Sequence, residues 1–281
     1  MTGRPRAAPD ALEPALAELA ERSPGTWSFA VSTAAWEAGA RADDAVPAAS
    51  TVKTVLAVAV LREVDAGRLD LGQRLTVPEV RTGGSGTLRL LGSVEALTLG
   101  ETLTLCLAVS DNTATNMLID LLGLDALGEH VAALGLRTTA LRRRMMDAAA
   151  AREGRDNVAS AGELAVLYRR VGAGELLTRR STQVLLTILA EQTANDRIPA
   201  GVPPGVEVLH KPGELPGLRH DAGLLRIGGQ EIGFAALGSD LPDAGASTLV
   251  SGEAARVIAE AARLTVRHVR QGWAVGDRPA G

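Results

Sequence analysis

Hydrophobic and polar positions along the 281 residues fall into three kinds of stretch, and their order suggests an architecture. "DALEPALAELAERS" (10–23) repeats apolar residues at helical spacing. "TWSFAVST" (26–33) alternates as a half-covered strand does, and a polar turn follows at "GARADD" (39–44). From "STVKTVLAVAVLREVDAG" (50–67) to about residue 200 the pattern is helical, broken by Gly67, "RTGGSGTLRLLG" (81–92), Gly123 and Gly154. Two helix starts carry capping-box spacing: Thr98 with Glu101, and Ser160 with Glu163. Past "PAGVPPG" (199–205) the strand pattern returns in "VEVLHKPGE" (206–214), "LRHDAGLLRIGG" (218–229) and "QEIGFAALGS" (230–239), with glycine turns between them. "SGEAARVIAEAARLTVRHV" (251–269) predicts a closing amphipathic helix.

Strands at both ends with helices between them predict an α/β (α+β) fold. One antiparallel sheet is built from N- and C-terminal strands, flanked by the terminal helices, with an inserted all-helical lobe. The expected organisation is an N-terminal helix region (1–25), a single domain over 26–270 and a tail (271–281). Within that domain the sheet lobe takes 26–49 and 201–270, and the helical lobe takes 50–200.

Composition narrows the function classes. A hydrophobic content of 46% over this length supports a large core. The net charge of −4 comes from interspersed acids and bases, which speaks against a nucleic-acid face or a polybasic membrane patch. No apolar run reaches the roughly 18 residues of a membrane span. The expected partner is a small-molecule substrate or a peptide, and a monomer is expected. Cys106 is the single cysteine, which excludes an internal disulfide and suits a small core residue in an apolar helix. Residues 1–25 hold no uninterrupted apolar stretch, so a cytoplasmic product is expected, or a secreted one already trimmed. No His, Cys, Asp and Glu have metal-ligand spacing, so neither metal nor other cofactor is expected.

The charge inventory holds the sharpest clue. Of 29 basic residues only two are lysines, Lys53 and Lys211, in a chain that writes its other positive charges as arginine. These two would then sit where a guanidinium cannot serve. Ser50 lies three residues before Lys53 at the mouth of a long apolar helix, where free backbone N–H groups and the helix dipole favour developing negative charge. Lys53 would share its face. A lysine whose pKa is lowered, for instance by Lys211 as a second cation, can take the serine's proton, and an arginine cannot. The plainer reading makes Ser50 an N-cap and Lys53 a solvated first-turn residue. Ser110-Asp111-Asn112 falls between two helical stretches, where a hydroxyl and an amide can face a cleft or simply cap a helix. Gly213, in Lys211-Pro212-Gly213, would let a ligand approach a strand backbone.

S-x-x-K and S-D-N, in this order and followed by a lysine strand, resemble the serine β-lactamases of class A and the penicillin-binding proteins, whose third motif is K-T-G. "RTGGSGTL", "SDNTATNMLIDLLG" and "HDAGLL" are similar to that family too, and the likeness covers residues 26–270. The resemblance implies the serine β-lactamase-like fold. It implies an acyl-Ser50 intermediate on a β-lactam or related amide or ester, with Lys53 as base or proton relay. Ser110 would pass a proton to the leaving nitrogen, Asn112 would bind the substrate amide, and Lys211 would hold the substrate carboxylate. The backbone N–H groups of Ser50 and Glu214 would form the oxyanion hole, a device worth about 10²–10³ in rate.

Three departures separate the chain from that pattern. The family's E-x-x-L-N loop, whose glutamate activates the deacylating water, has no counterpart, for "LRRRMMDAAAAR" (141–152) holds no glutamate. Asp147 and Glu153 are the nearby substitutes; Asp147 is the possible deacylation base, or else the ion-pair partner of Arg143 or Arg144. Without a positioned base, deacylation would slow by about 10²–10⁴-fold. Pro212 removes the hydroxyl that meets a substrate carboxylate in the family, as well as a strand N–H. Arg219 or His220, expected near the cleft mouth, is the candidate replacement. Six aromatic residues in the whole chain leave little for an aromatic wall. His210 alternates with Lys211 and would point into packing. The alternatives are a carboxypeptidase of D-Ala peptides and a β-lactam-binding sensor that does not hydrolyse.

Overall fold

The computed structural model describes residues 11–242 and 248–274, so the start of the expected N-terminal region and most of the expected tail lie outside the described residues. In chain order the elements are α1 (Leu12–Arg22), β1 (Thr26–Ser32), β2 (Glu37–Ala40), β3 (Val46–Pro47), α2 (Lys53–Asp65), β4 (Arg74–Thr76), β5 (Ala96–Thr98), α3 (Leu99–Ala108), α4 (Asn112–Leu122) and α5 (Leu124–Ala133). They continue with α6 (Ala148–Arg152), β6 (Val158–Ala159), α7 (Ala161–Gly172), α8 (Arg179–Ala190), α9 (Ile198–Gly201), β7 (Glu207–Leu215), β8 (Leu218–Ile227), β9 (Gln230–Ser239) and α10 (Thr248–Ala274). These elements form two compact units. One takes the residues up to Val46, Ser160–Ala173 and those from Asn195 on; the other takes Pro47–Ala159 and Gly174–Ala194.

The first unit is the sheet. Its five strands run in the order β2-β1-β9-β8-β7, every pair antiparallel. Strands from opposite ends of the chain meet at its centre, with Phe29 opposite Ala236. Trp27, Phe29 and Val31 of β1 and Ile232 and Phe234 of β9 share one core with Leu12, Leu16 and Leu19 of α1 and Ile258 and Ala261 of α10. The helix α7 covers β1, β8 and β9 from the other side. Gly233 makes that approach possible, since a Cβ there would lie 1.7 Å from the Ala165 carbonyl oxygen. Alternation in β1 predicts one covered face, yet Ser28 and Ser32 are buried as well, because a second helix layer covers the small-residue face. Sequence pattern placed 160–172 in the helical lobe; the period of α7 reveals its apolar stripe but not which layer the stripe packs against.

The second unit is helical, with α2 at its centre. Nine consecutive residues, Lys53–Leu61, are buried all round, and α3, α4, α5 and α8 pack against them. The β4–β5 ladder, with Leu75 opposite Leu97, delivers the chain to Thr98, whose hydroxyl accepts the Glu101 amide at 3.1 Å. The Glu101 carboxylate in turn accepts the Thr98 amide at 2.6 Å, so the first capping box is closed. In the sheet unit the Ser160 hydroxyl accepts the Glu163 amide. No helix among the described residues is long and apolar enough to cross a membrane.

Candidate active site

Ser50 is one turn ahead of the regular helix. The segment entering α2 is a tight turn, with Thr51 N–H donating to Ala48 O at 3.2 Å and Lys53 N–H to Ser50 O at 3.3 Å. Ala49 has φ +47°, a left-handed conformation that costs a residue with a Cβ about 1–2 kcal/mol. Such strain is found where the surrounding structure fixes a functional geometry. Ser50 itself is half-buried, and Lys53 is fully buried, so the solvated first-turn reading does not hold.

The buried ammonium is fully engaged. Lys53 Nζ donates to Ser110 O at 2.7 Å, to Ser110 Oγ at 3.0 Å and to Asn112 Oδ1 at 2.9 Å. Three acceptors match the three donors of a protonated lysine. Burial pulls the Lys53 pKa down to about 8, against the pull of Cys106 and Asp111 in the other direction. The shift expected from a second cation thus comes from desolvation. A neutral amine keeps two donors and gains a lone pair, which is what a proton acceptor needs.

The S-D-N segment divides its labour. Asp111 is the helix cap: its Oδ1 accepts Ala114 N–H at 2.9 Å and its Oδ2 accepts Leu88 N–H at 2.7 Å. Ser110 and Asn112 are thereby left to meet Lys53. Ser110 has φ +56°, a second strained residue at the same place. The glycine-rich segment 81–87 clasps this corner, with Asn112 N–H on Ser85 O at 3.0 Å and Asn112 Nδ2 on Gly83 O at 2.9 Å. Gly86 has φ +115°, and a Cβ there would lie 2.3 Å from Asp111 Oδ2, so only glycine lets the loop close over the cap.

One turn further along α4, Asn116 was not singled out from sequence. Its Oδ1 accepts Met145 N–H at 2.7 Å and its Nδ2 donates to Met145 O at 3.2 Å, so both backbone groups of Met145 are held. Its i,i+4 relation to Asn112 is the signal that could have revealed it. Across the same loop Arg143 pairs with Asp156 at 2.7 Å and Arg144 with Asp120 at 3.0 Å. The alternative reading, a pair of Asp147 with either arginine, is absent among the described residues. Asp147 caps α6 instead, its Oδ1 accepting Ala150 N–H at 3.0 Å.

In the sheet unit, Lys211, Pro212 and Gly213 lie in β7 and are buried. Lys211 Nζ donates to Pro212 O at 2.8 Å. His210 points the other way, as alternation requires, and its Nδ1 meets the Asp221 carboxylate at 2.9 Å. His220, opposite Gly213, does not lie at an open rim: its ring is fully enclosed and Nδ1 accepts Gly238 N–H at 3.1 Å. The cause is its place on β8, a strand paired on both sides. Arg219 projects to the opposite face and meets the exposed carboxylate of Glu214, its cross-strand partner. Arg197, just ahead of α9, is the residue sequence reasoning missed here. It is 3% exposed, donates to Gly213 O at 3.1 Å and His220 O at 2.7 Å, and also meets Glu214. No local pattern marks an arginine whose partners are supplied by strands 16 and 23 residues on.

Known proteins resemble the whole arrangement. A family model described as the beta-lactamase enzyme family matches residues 11–269. A beta-lactamase of Streptomyces fradiae is 32% identical over 231 residues, 79% of this chain and 76% of that one. The solved structure of PBP-A superposes with a TM-score of 0.83 at 28% identity, covering 96% of this chain and all of that chain. A mutant of PBP-A was solved as an acyl-enzyme complex with penicillin-G. A beta-lactamase from Sphaerobacter thermophilus matches with a TM-score of 0.80 at 29% identity, over 95% of this chain and 99% of that one.

Proposed function

The chain belongs to the beta-lactamase enzyme family and is a beta-lactamase-like serine hydrolase, and on that premise we propose that it works through an acyl intermediate on Ser50. The observation that carries this reading is the Lys53 ammonium, buried and shared between Ser110 and Asn112. In its neutral form Lys53 takes the Ser50 hydroxyl proton as Oγ attacks the substrate carbonyl. The 3.0 Å contact to Ser110 Oγ gives that proton a route onward to the leaving nitrogen as the C–N bond breaks. Asn112 orients the substrate amide. By motif, Lys211 supplies positive charge for the substrate, and Gly213 leaves room at the backbone. By motif alone, the N–H groups of Ser50 and Glu214 would receive the oxyanion. The family implies a β-lactam as the small-molecule substrate.

Release of the acyl group is the slow step in this reading. Asp147, the nearest carboxylate in the loop, is spent on a helix cap, and Met145 occupies the position that Asn116 fixes. Acylation without rapid release, as in a penicillin-binding peptidase or a sensor, is the second reading that this loop favours; the PBP-A likeness supports it. The test is to mix the protein with a chromogenic cephalosporin and follow colour and intact mass together. Expected is a mass increase that persists while colour turns over slowly, with both lost in Ser50→Ala. Unchanged labelling in Ser50→Ala would remove Ser50 as the nucleophile.

A further inference from the structure

The sheet unit holds two guanidinium groups and one carboxylate in an arrangement the reaction has not used. Arg197 is 3% exposed and Arg219 is 9% exposed, whereas the Glu214 side chain remains more than half exposed. Both arginines bond the same Glu214 oxygen, Oε2. Arg197 is locked from behind by the carbonyl oxygens of Gly213 and His220, and Asp196 lies 3.6 Å from its Nε. Burial, and then repulsion from Arg197, hold the Arg219 pKa below the usual arginine value. Two cations so placed form a fork for a carboxylate, and the protein's own carboxylate fills it. Glu214 and Asp196 thus set two negative charges against the two guanidinium groups.

We propose that Glu214 is a specificity-determining residue whose carboxylate occupies the Arg197–Arg219 fork and directs the enzyme toward substrates uncharged at that position. The proposal rests on the hydrolase reading above, in which the Glu214 amide receives the oxyanion, and it names the substrate class: neutral lactams, amides or esters. Pro212 acts in the same direction, because the residue beside Gly213 offers no hydroxyl to a substrate carboxylate. An external anion must displace Glu214 from both arginines and then lie beside its negative charge. Neutral substrates meet no such competition.

The test compares a chromogenic cephalosporin as the free acid and as its methyl ester, in the natural protein and in Glu214→Gln. The variant keeps size and hydrogen bonding but leaves the fork without a counter-ion. The natural protein is expected to prefer the ester, and Glu214→Gln to raise the acid-to-ester ratio of kcat/KM about tenfold or more, chiefly through KM. Adding Arg219→Gln should return the ratio toward its starting value. An equal ratio in the natural protein and Glu214→Gln overturns the proposal. A second readout needs no turnover: benzoate at fixed ionic strength should raise the melting temperature of Glu214→Gln and leave the natural protein unmoved. If neither protein hydrolyses either substrate but benzoate discriminates them, the function assigned above fails while the fork stands. If benzoate does not discriminate them, the fork fails.

Discussion

Each unit of this protein buries one of the chain's two lysines completely, and one of them is met by a hydroxyl far along the chain while the other is met by a carbonyl next to it in sequence. Lys53 meets the hydroxyl and carbonyl of Ser110 and the amide oxygen of Asn112, groups that lie 57 and 59 residues on in sequence. Lys211 meets the carbonyl of its own neighbour, Pro212. A hydroxyl can accept a proton and pass another on; a backbone carbonyl can do neither. In the proposed mechanism the hydroxyl beside Lys53 lets that lysine pass a proton on, and the Pro212 carbonyl steadies the charge of Lys211. Arginine would fail in the first place because it cannot give up its proton, and would be poorly tolerated in the second because of its size.

The largest effect is expected when each lysine is replaced by arginine. Lys53→Arg should lower the rate of Ser50 acylation by about 10²–10⁴-fold, the worth of a general base, measured as intact-mass labelling under single turnover. Lys211→Arg retains the positive charge and should cost less. Equal losses would mean that both lysines act only as charges.

A second, smaller effect concerns the loop rather than the lysines. Asn116 fixes Met145 by both backbone groups, one helical turn from Asn112. A carboxylate placed there would be held by a rigid backbone beside the Lys53 corner. Met145→Glu should therefore speed release of the acyl group by about tenfold, seen as faster decay of the labelled mass with little change in labelling rate. Unchanged decay would show that residue 145 does not face the acyl group.

Much of this was legible before any coordinates. The two lysines, S-x-x-K and S-D-N stand in local sequence, and so does the capping box at Thr98, because motifs and caps depend on neighbours within a turn. Four strands of the sheet, β1, β7, β8 and β9, were legible from alternation and glycine turns, whereas β2 was not, because its last two residues, Gly39 and Ala40, fall in what reads as a polar turn. What sequence left out depends on register between distant segments. The Arg197–Glu214–Arg219 fork exists because β7 and β8 pair with Glu214 opposite Arg219 and α9 starts beside them. The burial of His220 follows from β9 covering the second edge of β8. The role of Asp147 turned on whether five residues after it would form a helix, α6, whose apolar content is too short to announce itself.

The pKa of Lys53 gives two milder tests, and their signs differ. In the proposed mechanism acylation requires the neutral amine, so with a pKa of about 8 the labelling rate should rise about fivefold from pH 7 to pH 8 and level off above about pH 9. Stability should respond at higher pH. Between about 8 and the ordinary 10.5 the unfolded chain holds a proton on this lysine that the native state has released, so stability increases with pH across that window. Below it both states are protonated, and the native state bears the full cost of a buried charge. Few other groups obscure the measurement, because the chain has only one further lysine, one tyrosine and one cysteine. Lys53→Met removes the titrating group without opening a cavity, so the natural protein's melting temperature should climb relative to the variant's by a few degrees, roughly, between pH 8 and pH 10. A constant difference would mean that Lys53 keeps its proton in the native state, and that some other group must take the one Ser50 gives up.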